Sequence, residues 1–522
     1  MPSDEGIAPS HLATEPLSEI TTSHTNLLEH TPSQEHSPTS KKDLHIDPHN
    51  ETPIPGHELP LLALHPNPLN PDTTPPTQTR LYKRRYLVLL ELSLLNIIVS
   101  WCWLTFSSVS GTSSTFYNVS ESTINWLSTG FLFAFVVASP VVLWVLNRST
   151  KMAMVVASGL LILGSWLRFL GSKLPHTDTN HRGFGVVLLG QIIIGFAQPF
   201  VLSAPTRLSH QWFGDKERIT ATALASLCNP LGGALGQLIG PFIATEPEKV
   251  PDMVLYVAII TTVISIPSIF LPLSPPLPPT TTPFNDTKID LKTLKSLFSN
   301  LSFHLIAWPF IIYVASFNAT SSLLNQIMSP YGFTEDQAGI DGAIMIVVGL
   351  LAAAVVSPIL DRKHGIKLIV IKICVVVISI MYLLFIFLPS TRKLVGIAII
   401  SALIGSTSFI LLPLALEMLA DTTYPIGPEV SSTICWAISQ LMGGILLVSM
   451  TALKGHKSGQ PDKSMYRSLV LQAVLCCVVA PLPLCLGFWG TGRHGRDKVG
   501  QLGNGSESMD GSGLAEEVST TA

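Results

Sequence analysis

Long apolar segments, separated by short polar ones, make up most of this chain. Twelve of them can cross a hydrocarbon core of roughly 30 Å as helices. They begin near Tyr86, Ile124, Met152, Phe184, Thr220, Met253, Leu301, Gly342, Leu368, Leu394, Val430 and Ser468. This pattern predicts an all-α membrane protein with twelve transmembrane helices.

A polar linker, residues 274–300, separates the sixth apolar segment from the seventh and contains the run PPLPPTTTP. Each half then has six spans in roughly 190 residues, which is the plan of major facilitators, whose halves rock around a central site. We therefore expect two six-helix bundles, at residues 81–273 and 301–490.

The two ends of the chain lack any helical period. Residues 1–80 are rich in Pro, Ser, Thr and His, and residues 491–522 are rich in Gly and Ser. Both compositions predict disordered tails. Basic residues favour cytosolic loops, and with the N-terminus inside, roughly 18 lie on inner loops against about 9 outside. We expect both tails in the cytosol, with the protein in the plasma membrane or an endomembrane.

Composition supports the membrane assignment and excludes several classes of protein. Of the 522 residues, 47% are hydrophobic and 12% are charged, whereas soluble proteins have about 25% charged residues. The net charge of -3 shows no basic surplus of the kind that binds nucleic acid. The seven cysteines lie in apolar stretches without a metal-binding or disulfide pattern. We predict a monomer in the lipid bilayer, with a small-molecule substrate, no cofactor, no metal and no enzymatic motif.

Polar side chains inside the spans are the candidates for function, because an unpaired polar group is expensive in hydrocarbon. They should face the bundle interior. The amides concerned are Gln191, Gln198, Asn318, Asn325, Gln326 and Gln440. Each could bond one helix to another or contact a substrate, and Gln440 lies near mid-depth, roughly 18 Å along its helix.

Acidic residues are scarce in the spans and none is clearly at the midplane. Glu91 is shallow, and Arg84 and Arg85 could hold it charged. Asp341 and Glu417 lie near helix ends. A proton-coupled carrier needs a titratable group in its path, so we expect transport without proton coupling.

The fifth apolar segment, which begins near Thr220, carries Gly232, Gly236 and Gly240, followed by Pro241. This stripe of small residues predicts close helix packing. The segment GQLIGP, which ends at Pro241, also resembles the start of the helix 5 motif of facilitator antiporters.

Two inner loops carry candidate gating residues. Asp361-Arg362 resembles the inner-loop motif of the superfamily, in which a carboxylate and an arginine latch neighbouring helices. The matching loop of the first half has Asn147-Arg148, so that latch lacks its acid.

Several segments resemble the feline leukaemia virus subgroup C receptor-related family, solute carrier family 49. The run from Gln191 to Pro241 is similar to its helices 4 and 5. The likeness continues in YKRRYLVLLELSLLN from Tyr82, STFYNVSESTINWLS from Ser114, SSLLNQI from Ser321 and LALEMLADTTYPIG from Leu414. Gln198-Pro199, NPLG at Asn229 and MTAL at Met450 look closest to the major facilitator domain-containing protein 7 branch.

The resemblance implies carriage of choline or ethanolamine, and haem export has also been proposed for the family. Aromatic faces hold a quaternary ammonium. Trp103 matches the family's cage tryptophan and Gln440 a polar site residue, whereas Pro230 replaces a glutamine and Asn318 a tyrosine. Because about 27 Å of straight helix separates Trp103 from Arg85, an outer aromatic belt is the alternative location for this ring.

We therefore predict facilitative carriage of a small amine or cation by alternating access, with Trp103, Gln198, Asn318 and Gln440 as substrate-binding residues. An ion-coupled antiporter, a haem exporter and a non-transporting membrane sensor are the alternatives.

Overall fold

A computed structural model of the chain describes residues 80–175, 182–277, 279, 291–362, 366–423, 426, 428–455 and 461–486. The tails predicted at residues 1–80 and 491–522 lie outside these residues, except for residue 80. Residues 278 and 280–290 of the linker 274–300 also lie outside them, and its last part forms a short helix, Leu291–Ser299.

The first half of the chain folds into eight helices, six of them long. They are α1 (Arg85–Leu104), α2 (Ser110–Tyr117), α3 (Glu121–Arg148), α4 (Thr150–Lys173), α5 (Arg182–Leu202), α6 (Ala204–Trp212), α7 (Asp215–Ile243) and α8 (Val250–Ser265).

The linker helix Leu291–Ser299 is α9, and the second half follows it. Its helices are α10 (Leu301–Met328), α11 (Glu335–Arg362), α12 (Lys367–Phe385), α13 (Leu394–Thr423), α14 (Pro428–Ala452), α15 (Tyr466–Val479) and α16 (Pro481–Leu484). Each of the twelve predicted apolar segments lies in one of the long helices.

Eleven helical segments of the described residues are long and apolar enough to cross a membrane. Among the twelve long helices that contain the predicted segments, α7 is the one that does not qualify, although it has 29 residues. Its many Gly, Ser and Thr residues, together with Asn229 and Gln237, lower its hydropathy. Such a composition suits a helix that meets protein rather than lipid.

The helices of each half pack mainly on one another. In the first half α4 lies against α5 and α8, and α1 against α7. In the second half α11 lies against α13, and α10 against α14. The halves meet along two helix pairs, α7 with α11 and α3 with α14. A cavity lies between these two contacts.

The first predicted span is not one straight helix. α1 ends at Leu104, turns occupy the next residues, and α2 continues from Ser110 to Tyr117. No Gly or Pro causes this break. Trp103 is the next-to-last residue of α1, so the helix is continuous from Arg85 to this residue.

Candidate functional site

The cavity between the halves has a volume of about 140 Å³. It is lined by residues of α1, α5 and α7 from the first half and of α10, α11, α13 and α14 from the second. Trp103, Gln198, Asn318 and Gln440, which were predicted from distant parts of the sequence, all line it. Their role in binding a substrate stays a prediction.

Trp103 is buried in the protein, with 6% of its surface exposed. Its ring stacks on that of Phe131, with centroids 6.1 Å apart and planes inclined by 14°. The alternative location in an outer aromatic belt is wrong, because a belt residue lies at the lipid surface and this side chain is buried among the helices. The side chain faces the cavity and not lipid.

Two amides from facing helices of the second half meet at the cavity wall. Asn318 Nδ2 on α10 donates to Gln440 Oε1 on α14 at 2.9 Å. This bond orients both side chains. Gln440 retains its own NH₂ donors, and Asn318 its carbonyl oxygen, for other partners. On α5, Gln198 is buried and its Oε1 has no partner among the described residues.

The other amides predicted to face the interior are all buried, which confirms that expectation, but they do not line the cavity. Gln191 Nε2 donates to the Cys102 and Trp103 carbonyls, at 3.2 and 3.4 Å. Asn325 and Gln326 bond across the two halves. These three amides bond helices to one another.

A set of aromatic rings from the second half completes the cavity wall, and sequence reasoning missed it. Phe310 and Trp436 form an edge-to-face pair with centroids 5.5 Å apart. Phe317 and Phe409 form another at 5.2 Å. Helical spacing could have identified Trp436, which precedes Gln440 by four residues, about one turn of α14.

No charged side chain lines this cavity in the part of the chain that the structure describes. The wall consists of aromatic rings, aliphatic side chains, amides and hydroxyls. It can offer π faces to a cation and hydrogen bonds to a hydroxyl or amine. It supplies no carboxylate that would form an ion pair.

The glycine stripe brings α7 against α1. A Cβ atom added at Gly232 would collide with the carbonyl of Ile97, and one at Gly236 would lie 3.0 Å from the carbonyl oxygen of Trp101. A Cβ at Gly240 would collide with Ser108 Oγ. Pro241, in contrast, faces α11 of the second half, near Gly339.

At one end of the molecule, which we call the far end, polar contacts join the halves. Glu335, the first residue of α11, accepts hydrogen bonds from Gly111 N, Thr112 N, Thr112 Oγ1 and Asn325 Nδ2 at 2.6 to 3.2 Å. Two of these donors are backbone N–H groups of the first turn of α2, which has no side-chain cap of its own. The second half thus caps a helix of the first half.

A second polar cluster at the far end joins α3 to α10 and α14. Lys454 forms an ion pair with Glu121. Asn125 and Gln326 exchange hydrogen bonds of 3.3 and 2.6 Å. These contacts, which the sequence did not identify, hold the halves together at the far end.

Of the four predicted gating residues, only the side chain of Arg148 is described. It is exposed, and its guanidinium carbon lies 3.7 Å from the centroid of the Trp144 ring. The side chains of Asn147, Asp361 and Arg362 lie outside the described set, so the inner latch stays a prediction.

Arg85 was expected to hold Glu91 charged, and this expectation is wrong. Arg85 pairs with Glu217 of α7, with Nη1 2.8 Å from Oε2, and its guanidinium lies over the rings of Tyr86 and Phe213. Glu91 is 5% exposed, and its Oε1 has no partner among the described residues. The sequence of α1 by itself could not show that Arg85 faces α7.

Comparison with known proteins places this architecture in a family. The family profile described as the Major Facilitator Superfamily matches residues 87–448. Solute carrier family 49 member A3 of Danio rerio is 30% identical over 382 residues, or 71% of this chain and 79% of the relative. The Choline/ethanolamine transporter FLVCR1 of Mus musculus is also 30% identical, over 70% of each chain.

Solved structures share the fold at lower identity. A D-xylose-proton symporter superposes with a TM-score of 0.59 and 12% identity, over 78% of this chain and 97% of its own. The nucleoside transporter NupG gives 0.56 and 14%, over 76% of this chain and 98% of its own. At such identities the likeness concerns the fold alone.

Proposed function

Because the chain belongs to the major facilitator superfamily and, within it, to solute carrier family 49, we propose that it carries a small organic solute across a membrane by alternating access. The observation that carries this proposal is the cavity between the halves, which is built from both of them. Polar contacts join the halves at the far end. Rocking the halves about the α7–α11 and α3–α14 contacts would expose the cavity to each side in turn.

The substrate that we propose is a small amine or cation such as choline or ethanolamine. Relatives at 30% identity bear the name choline/ethanolamine transporter. The cavity wall supports the same class, because aromatic rings attract a quaternary ammonium without a carboxylate. Trp103 supplies one such ring. The pair of Phe310 and Trp436 offers others on the opposite wall, where Asn318 has replaced the family's tyrosine.

The amides would contact the polar part of the substrate. Gln440, held by Asn318, can donate to a hydroxyl oxygen, and the unpartnered Oε1 of Gln198 can accept from a hydroxyl or an ammonium. A cavity of about 140 Å³ favours a solute of this size over a haem macrocycle.

We further propose twelve spans, with α7 as the span that its low hydropathy hides. In this topology residues 81–273 and 301–490 form the two bundles, both tails lie in the cytosol and the far end faces away from it. The protein would function as a monomer in the plasma membrane or an endomembrane.

The test is uptake by purified protein in liposomes from a panel of labelled solutes. The panel contains choline, ethanolamine, a neutral amino alcohol of similar size and haem. Saturable uptake of choline or ethanolamine, abolished by an excess of the unlabelled amine, is the expected result. Uptake of haem alone would identify a haem exporter, and uptake of none of them would favour a sensor that does not transport.

A second candidate is an ion-coupled antiporter, and the surroundings of Glu91 favour it. A buried carboxyl group with no arginine partner can take up and release a proton in a way that a paired one cannot. An imposed pH gradient separates the two candidates. Accumulation of substrate above its equilibrium level, driven by that gradient, would support antiport.

A further inference from the structure

One arginine lies wholly inside the first half. Arg168, on α4, has 0% of its surface exposed. Among the described residues it forms no ion pair with any carboxylate. A buried charge without a counter-charge is expensive, and a methionine of similar length would fill the same space at lower cost. Packing alone therefore does not explain an arginine here.

The partners of Arg168 belong to the end of α1. Its Nη1 donates to the carbonyl oxygen of Cys102 at 3.1 Å. Its guanidinium carbon lies 4.9 Å from the centroid of the Phe106 ring, just beyond that end. The last carbonyls of a helix have no partner within the helix and carry partial negative charge, which a cation offsets.

Gln191 of α5 reaches the same point from a second direction. Its Nε2 lies 3.2 Å from the Cys102 carbonyl oxygen and 3.4 Å from that of Trp103. Two side chains from different helices thus bond the last turn of α1. This is also the turn that places Trp103 at the cavity and against Phe131.

We propose that Arg168, assisted by Gln191, is a positioning residue that holds the end of α1 and so sets where the Trp103 ring meets the substrate. Arg168 touches no atom of the cavity. It acts through the backbone carbonyl of Cys102, and Gln191 adds a bond to that of Trp103. The proposal rests on the proposed function, since it takes Trp103 to contact the substrate.

A double-mutant cycle tests this link. Arg168→Met is made alone and together with Trp103→Ala, and KM for labelled choline, or for ethanolamine if choline is not carried, is measured in liposomes. Alone, Arg168→Met should raise KM about five- to thirtyfold, the range for loss of one cation–π contact. Beside Trp103→Ala it should change KM by less than about twofold, because the ring through which it acts is gone.

Two further variants separate positioning from general stability. Arg168→Lys keeps the charge and one donor to the Cys102 carbonyl, and should restore most of the lost affinity. Trp166→Phe, two residues away on α4, removes a hydrogen bond to Thr262 and leaves the end of α1 untouched; its KM should equal that of the wild type. Equal rises in KM with and without Trp103 would overturn the proposal.

A measurement that does not depend on transport tests whether Arg168 holds the end of α1 even if the proposed function is wrong. Cys102 is fully buried, so its alkylation by N-ethylmaleimide, followed by mass spectrometry of purified protein, reports release of the end of α1. The rate should rise in Arg168→Met and stay unchanged in Trp166→Phe. An unchanged rate in Arg168→Met would overturn the inference. If Trp103→Ala alone left uptake intact, the proposed substrate site would be wrong, whereas faster alkylation would still show that Arg168 holds α1.

Discussion

Trp103 lines the cavity while its ring stacks on Phe131, so the indole can be changed without disturbing a lipid contact. We expect Trp103→Ala to weaken substrate affinity by about 1 to 2 kcal/mol, and Trp103→Tyr to retain much of it, since the ring face attracts the cation. The concentration dependence of uptake at equal surface expression measures this. Trp126→Ala, which alters a tryptophan with 48% exposure, is the control. Equal affinity in wild type and Trp103→Ala would remove Trp103 from the site.

Glu91 is the residue on which ion coupling depends. Its carboxyl group is buried and is not paired with Arg85, yet it does not line the cavity. We therefore still expect uptake to persist without a pH or sodium gradient, and Glu91→Gln to retain transport. Uptake in proteoliposomes with and without an imposed proton gradient is the measurement. Gradient-driven accumulation that disappears in Glu91→Gln would establish the antiporter instead.

At the scale of elements, the contact between α1 and α7 depends on glycine. A methyl group at Gly232 would meet the backbone of Ile97, which cannot move aside as a flexible side chain can. Gly232→Ala should therefore destabilise the protein by about 1 to 3 kcal/mol, the usual cost of overpacking.

Thermal unfolding in detergent measures this effect, and Gly159→Ala on α4 is its matched control. No atom lies within 4 Å of a Cβ at Gly159, so that change should be neutral or slightly stabilising, because alanine favours a helix. Equal unfolding midpoints for both variants would mean that the α1–α7 contact tolerates a methyl group.

At the scale of the whole molecule, polar contacts join the halves at the far end, and Glu335 makes three of them. Glu335→Ala removes hydrogen bonds to a charged acceptor and should shift the population toward forms open at that end. Labelling of a cysteine placed at the buried Ser108 by a membrane-impermeant thiol reagent should accelerate by roughly tenfold. Glu246→Ala, which removes an exposed carboxylate, should leave the rate unchanged.

The predicted inner latch, at the end of the molecule opposite to the far end, gives a second prediction about gating. If Asp361 and Arg362 latch the inner end, Asp361→Asn should favour inward-open forms, slow transport and leave intrinsic affinity unaltered. A cysteine at Ser226, which lines the cavity, should then react faster with reagent applied from the cytosolic side. An unchanged labelling rate would mean that Asp361 and Arg362 are only loop charges.

The sequence alone predicted approximately where the long helices begin and which amides face the interior. Both follow from local information, because a polar group in hydrocarbon must turn inward and a span needs a fixed length. It also identified four residues that line one cavity. The family resemblance selected Trp103 and Gln440, and polarity added Gln198 and Asn318.

Only the tertiary structure decided how these helices are rotated and which side chains meet. It showed that α1 ends at Leu104 and that Trp103 faces the cavity. It also showed that Arg85 pairs with Glu217 and that aromatic rings of α10, α13 and α14 line the cavity together. Arg168 proved to bond the last turn of α1, which carries Trp103. The physical reason is that almost any face of an apolar helix can meet lipid or protein, so its orientation is set by packing against neighbours that are distant in sequence.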